Sequence, residues 1–281
     1  MKIFDKKILA EANGARIVRI EILSGHIASA AKAGQFVVLM ANEDAERIPL
    51  TIVSADKAKG TITLIFQEAG YTTRLLGKMN IGEELYAVAG PLGHPTEIKK
   101  TGNIILIGGG VGIAEVYPVA KAFKEAGNRT TTILGARTKD LLILEKELKN
   151  VSDEVHIVTD DGSYGKKGFV TDALKEILSG PSSLAPGALV YAVGPIPMMK
   201  AVSSLTKEFK IHTIVSLNTI MVDATGMCGC CRVTIGGQTK FSCIDGPEFD
   251  AALIDWDELT NRNRIYTEQE KHICKLEGFI Q

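Results

Sequence analysis

The sequence predicts three successive parts: a small antiparallel β-barrel or sandwich, an open parallel sheet covered by helices, and a short C-terminal segment rich in cysteine. Three observations carry this reading. Residues 1 to about 98 hold short β-branched runs punctuated by glycine. From about 99 to 218, continuous apolar runs alternate with helical stretches. Four of the five cysteines fall between Cys228 and Cys243. The expected domains are therefore 1–98, 99–218 and 219–281.

In the first part, Ala15–Ile22 alternates loosely, and Gln35–Met40 is a compact apolar run. Ile48–Val53, Gly60–Phe66 and Glu84–Ala89 complete the expected strands. Gly14, Gly25, Gly34, Gly60 and Gly82 mark the turns. A helical turn is expected at Thr72–Leu76, with Thr72 or Thr73 as cap.

The second part opens on Asn103–Ile107, whose unbroken apolar character is that of a strand buried on both faces. Strands are also expected at Thr130–Leu134, Glu154–Thr159, Leu189–Val193 and His212–Leu217. Helices are expected at Ile113–Ala126, Leu141–Leu148, Val170–Leu178 and Met198–Phe209. This βα alternation implies an open parallel sheet covered by helices. In the third part only Cys231–Ile235 and Thr239–Ser242 read as strands.

Composition narrows the function classes. The 281 residues are 45% apolar and 23% charged, the balance of an ordinary globular protein. With 32 basic against 33 acidic side chains the net charge is -1, which argues against a nucleic-acid coat or an anionic-membrane binder. No run approaches the ~18 apolar residues of a membrane span, and the first residues lack the apolar core of a secretory signal. The expectation is a cytoplasmic protein with neither nucleic acid nor membrane as partner.

The cysteine spacing is the sharpest signal. Cys228-x2-Cys231-x11-Cys243 follows Asp223 by four intervening residues. The plant-type iron–sulfur pattern is Cys-x4-Cys-x2-Cys…Cys, so Asp223 stands at the first ligand position. Gly226 and Gly229 suit close approach of backbone amides to sulfur. Three thiolates and one further ligand also suit zinc, but zinc sites usually pair two knuckles and the second is missing. Cys230, adjacent to Cys231, and Cys274 are competing ligands.

Gly108-Gly109-Gly110-Val111-Gly112 follows the first parallel strand, where a strand-to-helix turn lets backbone approach a pyrophosphate at a helix N-terminus. The alternative is tight strand–helix packing. At the carboxyl ends of later strands stand Ala136-Arg137, Asp160-Asp161-Gly162 and Gly194-Pro195, with Met198 opening the next helix. Paired aspartates in a turn are more often turn formers, and Arg137 is equally at home as a solvated loop charge. No catalytic acid–base constellation is evident: none of the five histidines pairs with another at helical or strand spacing.

Over its whole length the chain resembles the ferredoxin-reductase-type flavoproteins, which place a β-barrel before a nucleotide-binding sheet. Gly226-Met227-Cys228-Gly229 with Cys231-Arg232-Val233, and Cys243-Ile244-Asp245-Gly246-Pro247-Glu248-Phe249, resemble the electron-transfer subunits of dihydroorotate dehydrogenase. They are especially similar to a branch formed by the small FAD subunits of NADH-dependent reduced ferredoxin:NADP oxidoreductase. The resemblance implies FAD on a 1–98 barrel, NAD(H) on 99–218 and a 2Fe-2S cluster on 219–281, ligated by Asp223, Cys228, Cys231 and Cys243. Arg47, Pro49, Leu50 and Thr51 stand for the family's flavin motif, with Leu50 in place of its aromatic and Arg47 one residue early. Leu64, Ile65 and Phe66 resemble the strand on the adenine side, and Gly70, Thr72 and Thr73 the phosphate turn.

These cofactors form a coherent series, since a flavin joins two-electron hydride chemistry to a one-electron cluster. The resemblance further implies a larger FAD and iron–sulfur partner subunit, similar to the small subunit of glutamate synthase, that binds NADP and ferredoxin. Service to a dihydroorotate dehydrogenase is the other implied role.

Overall fold

The structure, a computed structural model, describes residues 1–180, 187–276 and 278. The chain forms two compact units, one of Met1–His94, Thr219–Asp245 and Asp255–Gln281, the other of Pro95–Asn218 and Gly246–Ile254.

The first unit is built on β1 (Ile3–Ala12), β2 (Ala15–Leu23), β3 (Phe36–Met40), β4 (Ile48–Asp56), β5 (Thr61–Gln67) and β6 (Ala87–Leu92). They form an antiparallel sheet in the order β1-β2-β5-β4-β3-β6. The sheet closes because the start of β1 bonds the segment before β6: the Leu85 amide donates to Met1 O at 2.8 Å, and the Ile3 amide to Glu83 O at 2.9 Å. Closure removes exposed strand edges. Asn13 and Gly14 turn β1 into β2 with φ of 51° and 74°, as a two-residue hairpin turn requires. Two helices, α1 (Gly25–Ala30) and α2 (Tyr71–Lys78), interrupt the barrel. Its core holds Val18, Ile20, Ile22, Val37, Leu39, Ile62, Leu64 and Phe66.

Three expectations change here. The strand expected at Glu84–Ala89 runs from Ala87 to Leu92, because residue 84 makes only an isolated bridge to Lys2. β1 had no expected strand of its own, since only Ile3 and Ala10 along it are buried. α1 stands where Gly25 marks only a turn in the sequence.

The second unit contains β7 (Asn103–Gly109), α3 (Gly112–Glu125), β8 (Arg129–Ala136), α4 (Glu145–Val151), β9 (Glu154–Thr159) and β10 (Lys166–Lys167). It continues with α5 (Val170–Ser179), β11 (Leu189–Val193), α6 (Ile196–Glu208) and β12 (His212–Ser216). The chain then returns to the first unit for the hairpin β13 (Arg232–Ile235) and β14 (Gln238–Phe241), and comes back as β15 (Glu248–Asp250). The sheet order is β10-β9-β8-β7-β11-β12-β15, parallel except that β15 runs antiparallel to β12. Its order reverses between β7 and β11, where open α/β sheets bind ligands. The helix expected at Leu141–Leu148 is a short 3-10 turn, Lys139–Leu141, followed by α4. Leu144 separates the two with a φ of 54°, which a continuous helix excludes.

The first unit ends in α7 (Trp256–Arg262) and α8 (Thr267–Leu276), neither expected from the sequence. Asp255 caps α7 by accepting from the Asp257 and Glu258 amides. Among the described residues no helix is long and apolar enough to cross a membrane.

Candidate functional site

The structure gathers the expected nucleotide residues at the sheet's switch point. Parallel register sets Gly109 beside Gly135, Gly108 beside Val193 and Ala136 beside Thr159, so the carboxyl ends of β7, β8, β9 and β11 lie level. Pro195 caps α6, and a methyl group on Gly109 would strike the Met198 sulfur and press Pro195 Cδ at 3.3 Å. A methyl on Gly194 would meet Met198 Cε at 2.6 Å. The glycines of the turn divide into two kinds. Gly112 lacks room for a side chain, since a Cβ would stand 2.6 Å from Val193 O. Gly110 faces open space and has a φ of 58°, so its constraint is backbone conformation. Val111 is the N-cap of α3.

Arg137, Asp160, Asp161 and Gly162 are exposed on the neighbouring loops. Asp161 accepts from the Ser163 hydroxyl at 2.7 Å and from its amide at 2.9 Å, and these bonds hold its carboxyl below its ordinary pKa. It builds the turn.

In the barrel, residues opposed across β3 and β4 share a face of the pleat. Thr51 opposes Phe36 and Pro49 opposes Val38. Leu50 opposes Val37 and packs on the barrel core. Leu64 and Phe66 also belong to that core, whereas Ile65, on the alternate face, is buried outside it. Arg47 precedes β4 and is exposed. At the start of α2, the Thr73 hydroxyl accepts the Ala69 and Gly70 amides at 3.0 Å each. Thr72 is buried and its Oγ1 has no hydrogen-bond partner within the chain.

Phe36 and Val38 share a buried layer with Met221, Ala224, Cys231 and Cys243. The sulfurs of Cys231 and Cys243 lie 3.2 Å apart as free thiols. Two thiolates on one tetrahedral ion with ~2.3 Å bonds stand ~3.8 Å apart, so this pair is close to ligand spacing. Burial, reinforced by Cys231, pushes the Cys243 thiol up to about 12, so a bound cation is what would hold it as thiolate. The amides of Cys230 and Asp223 donate to the exposed Cys228 sulfur and pull that thiol down. Ala224, Gly226 and Gly229 turn the loop with φ of 62°, 84° and 69°. The Asp223 carboxylate accepts from the Thr225 hydroxyl. Ser242, one residue before Cys243, is fully buried with an unpartnered hydroxyl. A buried sulfur pair, amide donors to the nearby Cys228 sulfur and a spare hydroxyl fit an iron–sulfur cluster. Among the described residues, no three His, Cys, Asp or Glu side chains are arranged to hold a single metal ion. Cys230 instead lines a pocket with Thr219, Arg232 and Arg262, and its carbonyl accepts from Arg262 at 2.9 Å. Cys274 is buried on α8.

Sequence reasoning missed one polar group. Glu248 Oε1 accepts from the Thr96 hydroxyl at 2.5 Å and the Tyr191 hydroxyl at 2.8 Å. Burial raises the Glu248 carboxyl, and burial together with Glu248 raises Tyr191 well above its usual range.

A closed antiparallel barrel joined to a doubly wound nucleotide sheet defines a ferredoxin-reductase-type oxidoreductase. The fold matches a mutant of Plasmodium falciparum ferredoxin-NADP+ reductase with a TM-score of 0.61 at 17% identity, over 76% of this chain and 94% of that one. Residues 106–204 match the oxidoreductase NAD-binding domain, and 218–255 the iron–sulfur cluster binding domain of dihydroorotate dehydrogenase B. The dihydroorotate dehydrogenase B (NAD(+)) electron transfer subunit homolog of Thermotoga maritima is 50% identical over 250 residues, 89% of this chain and 87% of the relative. The electron transfer subunit of a Geobacillus species is 34% identical, covering 83% and 91%. The structure of an NADH-dependent reduced ferredoxin-NADP oxidoreductase, solved for insight into flavin-based electron bifurcation, matches with a TM-score of 0.90 at 45% identity over 100% of this chain and 98% of that one. The chain belongs to the family of dihydroorotate dehydrogenase B electron transfer subunits. It is an NAD(P)H-dependent oxidoreductase component whose cofactors are FAD, NAD(H) and a 2Fe-2S cluster.

Proposed function

We propose that this chain moves electrons between NAD(H), FAD and a 2Fe-2S cluster, and on to or from a larger partner subunit, as the NADH end of an electron-bifurcating complex. One observation carries the reading. Phe36 opposes Thr51, the proposed flavin contact, and is buried in the same layer as Cys231 and Cys243. A single strand, β3, thus backs both the flavin strand and the cluster loop.

When bound, FAD accepts a hydride pair and passes electrons singly, the exchange that joins nicotinamide to cluster chemistry. Arg47, Pro49 and Thr51 hold it on the barrel, Leu50, Leu64 and Phe66 form the core wall behind, and Ile65 contacts it from the opposite face of β5. Gly70, Thr72 and Thr73 take its phosphates at the α2 turn. Gly109, Gly110, Val111 and Gly112 receive the dinucleotide diphosphate at the α3 N-terminus. Ala136, Arg137, Asp160, Asp161, Gly162, Gly194, Pro195 and Met198 shape the rest of that crevice. Asp223, Cys228, Cys231 and Cys243 would hold the cluster. This divides the work among residues 1–98, 99–218 and 219–281. The cytoplasm suits the chain, because its reducing poise keeps clustered thiols unbridged.

The partner we favour is a larger FAD and iron–sulfur subunit resembling the small subunit of glutamate synthase, through which ferredoxin and NADP are reached. The 45% identity along the full chain to the bifurcating enzyme's structure supports this. The second reading is electron delivery to a dihydroorotate dehydrogenase, supported by the names of relatives at 34% and 30% identity. The test is anaerobic addition of NADH to the native complex. We expect flavin bleaching, a reduced-cluster EPR signal and a co-purifying large flavoprotein. A colourless protein, or one whose partner oxidises dihydroorotate, defeats the first reading.

A further inference from the structure

The first N–H groups of a helix have no intrahelical partners and favour an anion. At α2 one such anion comes from the chain itself. The Tyr71 amide donates to Oε1 of Glu270, a residue 199 positions away on α8. The carboxylate lies so near Gly70 that a methyl group there would overlap it. Thr72, in the same turn, is 3% exposed and its hydroxyl lacks any partner. The turn therefore holds a protein carboxylate beside a donor that has no acceptor. The element carrying that carboxylate is lightly held: among the described residues of α8, only Cys274 is buried. Glu270 and Cys274 are four residues apart, on one side of the helix.

We propose that Glu270 is a built-in surrogate for the flavin diphosphate, which occupies the α2 amides in flavin-free protein and is displaced, with α8, when FAD loads. The inference rests on the reading that the FAD phosphates seat on this turn. A carboxylate and a phosphate ask the same of a helix N-terminus, and both are repelled if they meet there. Glu270 thus weakens FAD binding while keeping the empty turn capped. An element with few buried contacts is the kind that opens locally at low free-energy cost.

The experiment titrates flavin-free full-length protein with FAD, following flavin fluorescence, for the parent, Glu270→Gln, Glu270→Ala and Thr72→Val. Circular dichroism checks that each variant is folded. Gln keeps a neutral acceptor and Ala removes it, so we expect FAD to bind about threefold and about tenfold more tightly, respectively. Thr72→Val should weaken FAD binding. In the parent, FAD should speed amide exchange across Thr267–Leu276. If the Glu270 variants bind FAD no more tightly than the parent while Thr72→Val weakens it, the surrogate is wrong and the phosphate turn stands. If no variant changes the affinity, both are wrong.

Discussion

Cys231 and Cys243 hold their sulfurs 3.2 Å apart against β3, while Cys228, three residues before Cys231, is exposed. A buried pair and an exposed partner are what a cluster at the rim of a unit requires. Asp223→Cys should keep the cluster, complete an all-cysteine set and shift its reduction potential and EPR signal. Asp223→Ala should lose most of the bound iron and sulfide. Cys230→Ser and Cys274→Ser should retain both, because Cys230 lines a separate pocket and Cys274 sits on α8. Loss of iron in either serine variant, with retention in Asp223→Ala, would overturn the ligand set.

Gly110 and Gly112 differ in what they forbid. Gly110→Val places a branched side chain in open space where a diphosphate should lie. Its φ of 58° costs ~1–3 kcal/mol, which a folded unit can absorb. Stopped-flow bleaching of the flavin by NADH should slow at least about tenfold with flavin content held. Gly112→Ala should instead lower the melting temperature, since its methyl meets the Val193 carbonyl. Equal bleaching rates in Gly110→Val and the parent would move the nicotinamide site elsewhere.

Glu248 makes stability depend on pH in a direction opposite to that of a salt-bridged acid. Burial raises its carboxyl in the folded state. Its contribution is therefore full below the unfolded pKa of about 4.3 and is lost as pH rises through the folded value. Glu248→Gln keeps an acceptor for Thr96 and Tyr191 but cannot ionise. At pH 8 the variant should melt higher by about 2–4 °C, the shift ~1 kcal/mol gives at this size. At pH 4 the difference should vanish. Thermal melts at both values check this; a variant that melts lower at pH 8 would show that the charge is stabilising.

The two-sided burial of β7 and β11 wrote continuous apolar runs into the chain, and both were legible with their glycine turn. The cysteine spacing was legible because ligation restricts loop length more tightly than packing does. β1 was not, because Asp5, Lys6 and Lys7 break any period along a strand with only two buried residues. Its Asn13-Gly14 turn was the available signal. α7 was also announced, by Asp255 with Glu258 three residues on, the pattern of a capped helix start. No local pattern reveals Thr96, Tyr191 and Glu248 as a group, since their bonds span 152 and 57 residues. Glu270 is hidden for the same reason, as its partner amide is 199 residues away.

The placement of β15 has a consequence for how the protein is made. The edge of the second unit's sheet at β12 is completed by residues 248–250, which follow the cysteine loop in the chain. During synthesis, that sheet stays open at one side until the ribosome has released residue 250, by which time all four proposed cluster ligands have already emerged. A nascent chain halted at residue 218 would expose the β12 backbone as a free template for pairing with other chains. The same order explains why neither unit is available as an uninterrupted gene fragment: the first needs three stretches of sequence and the second two.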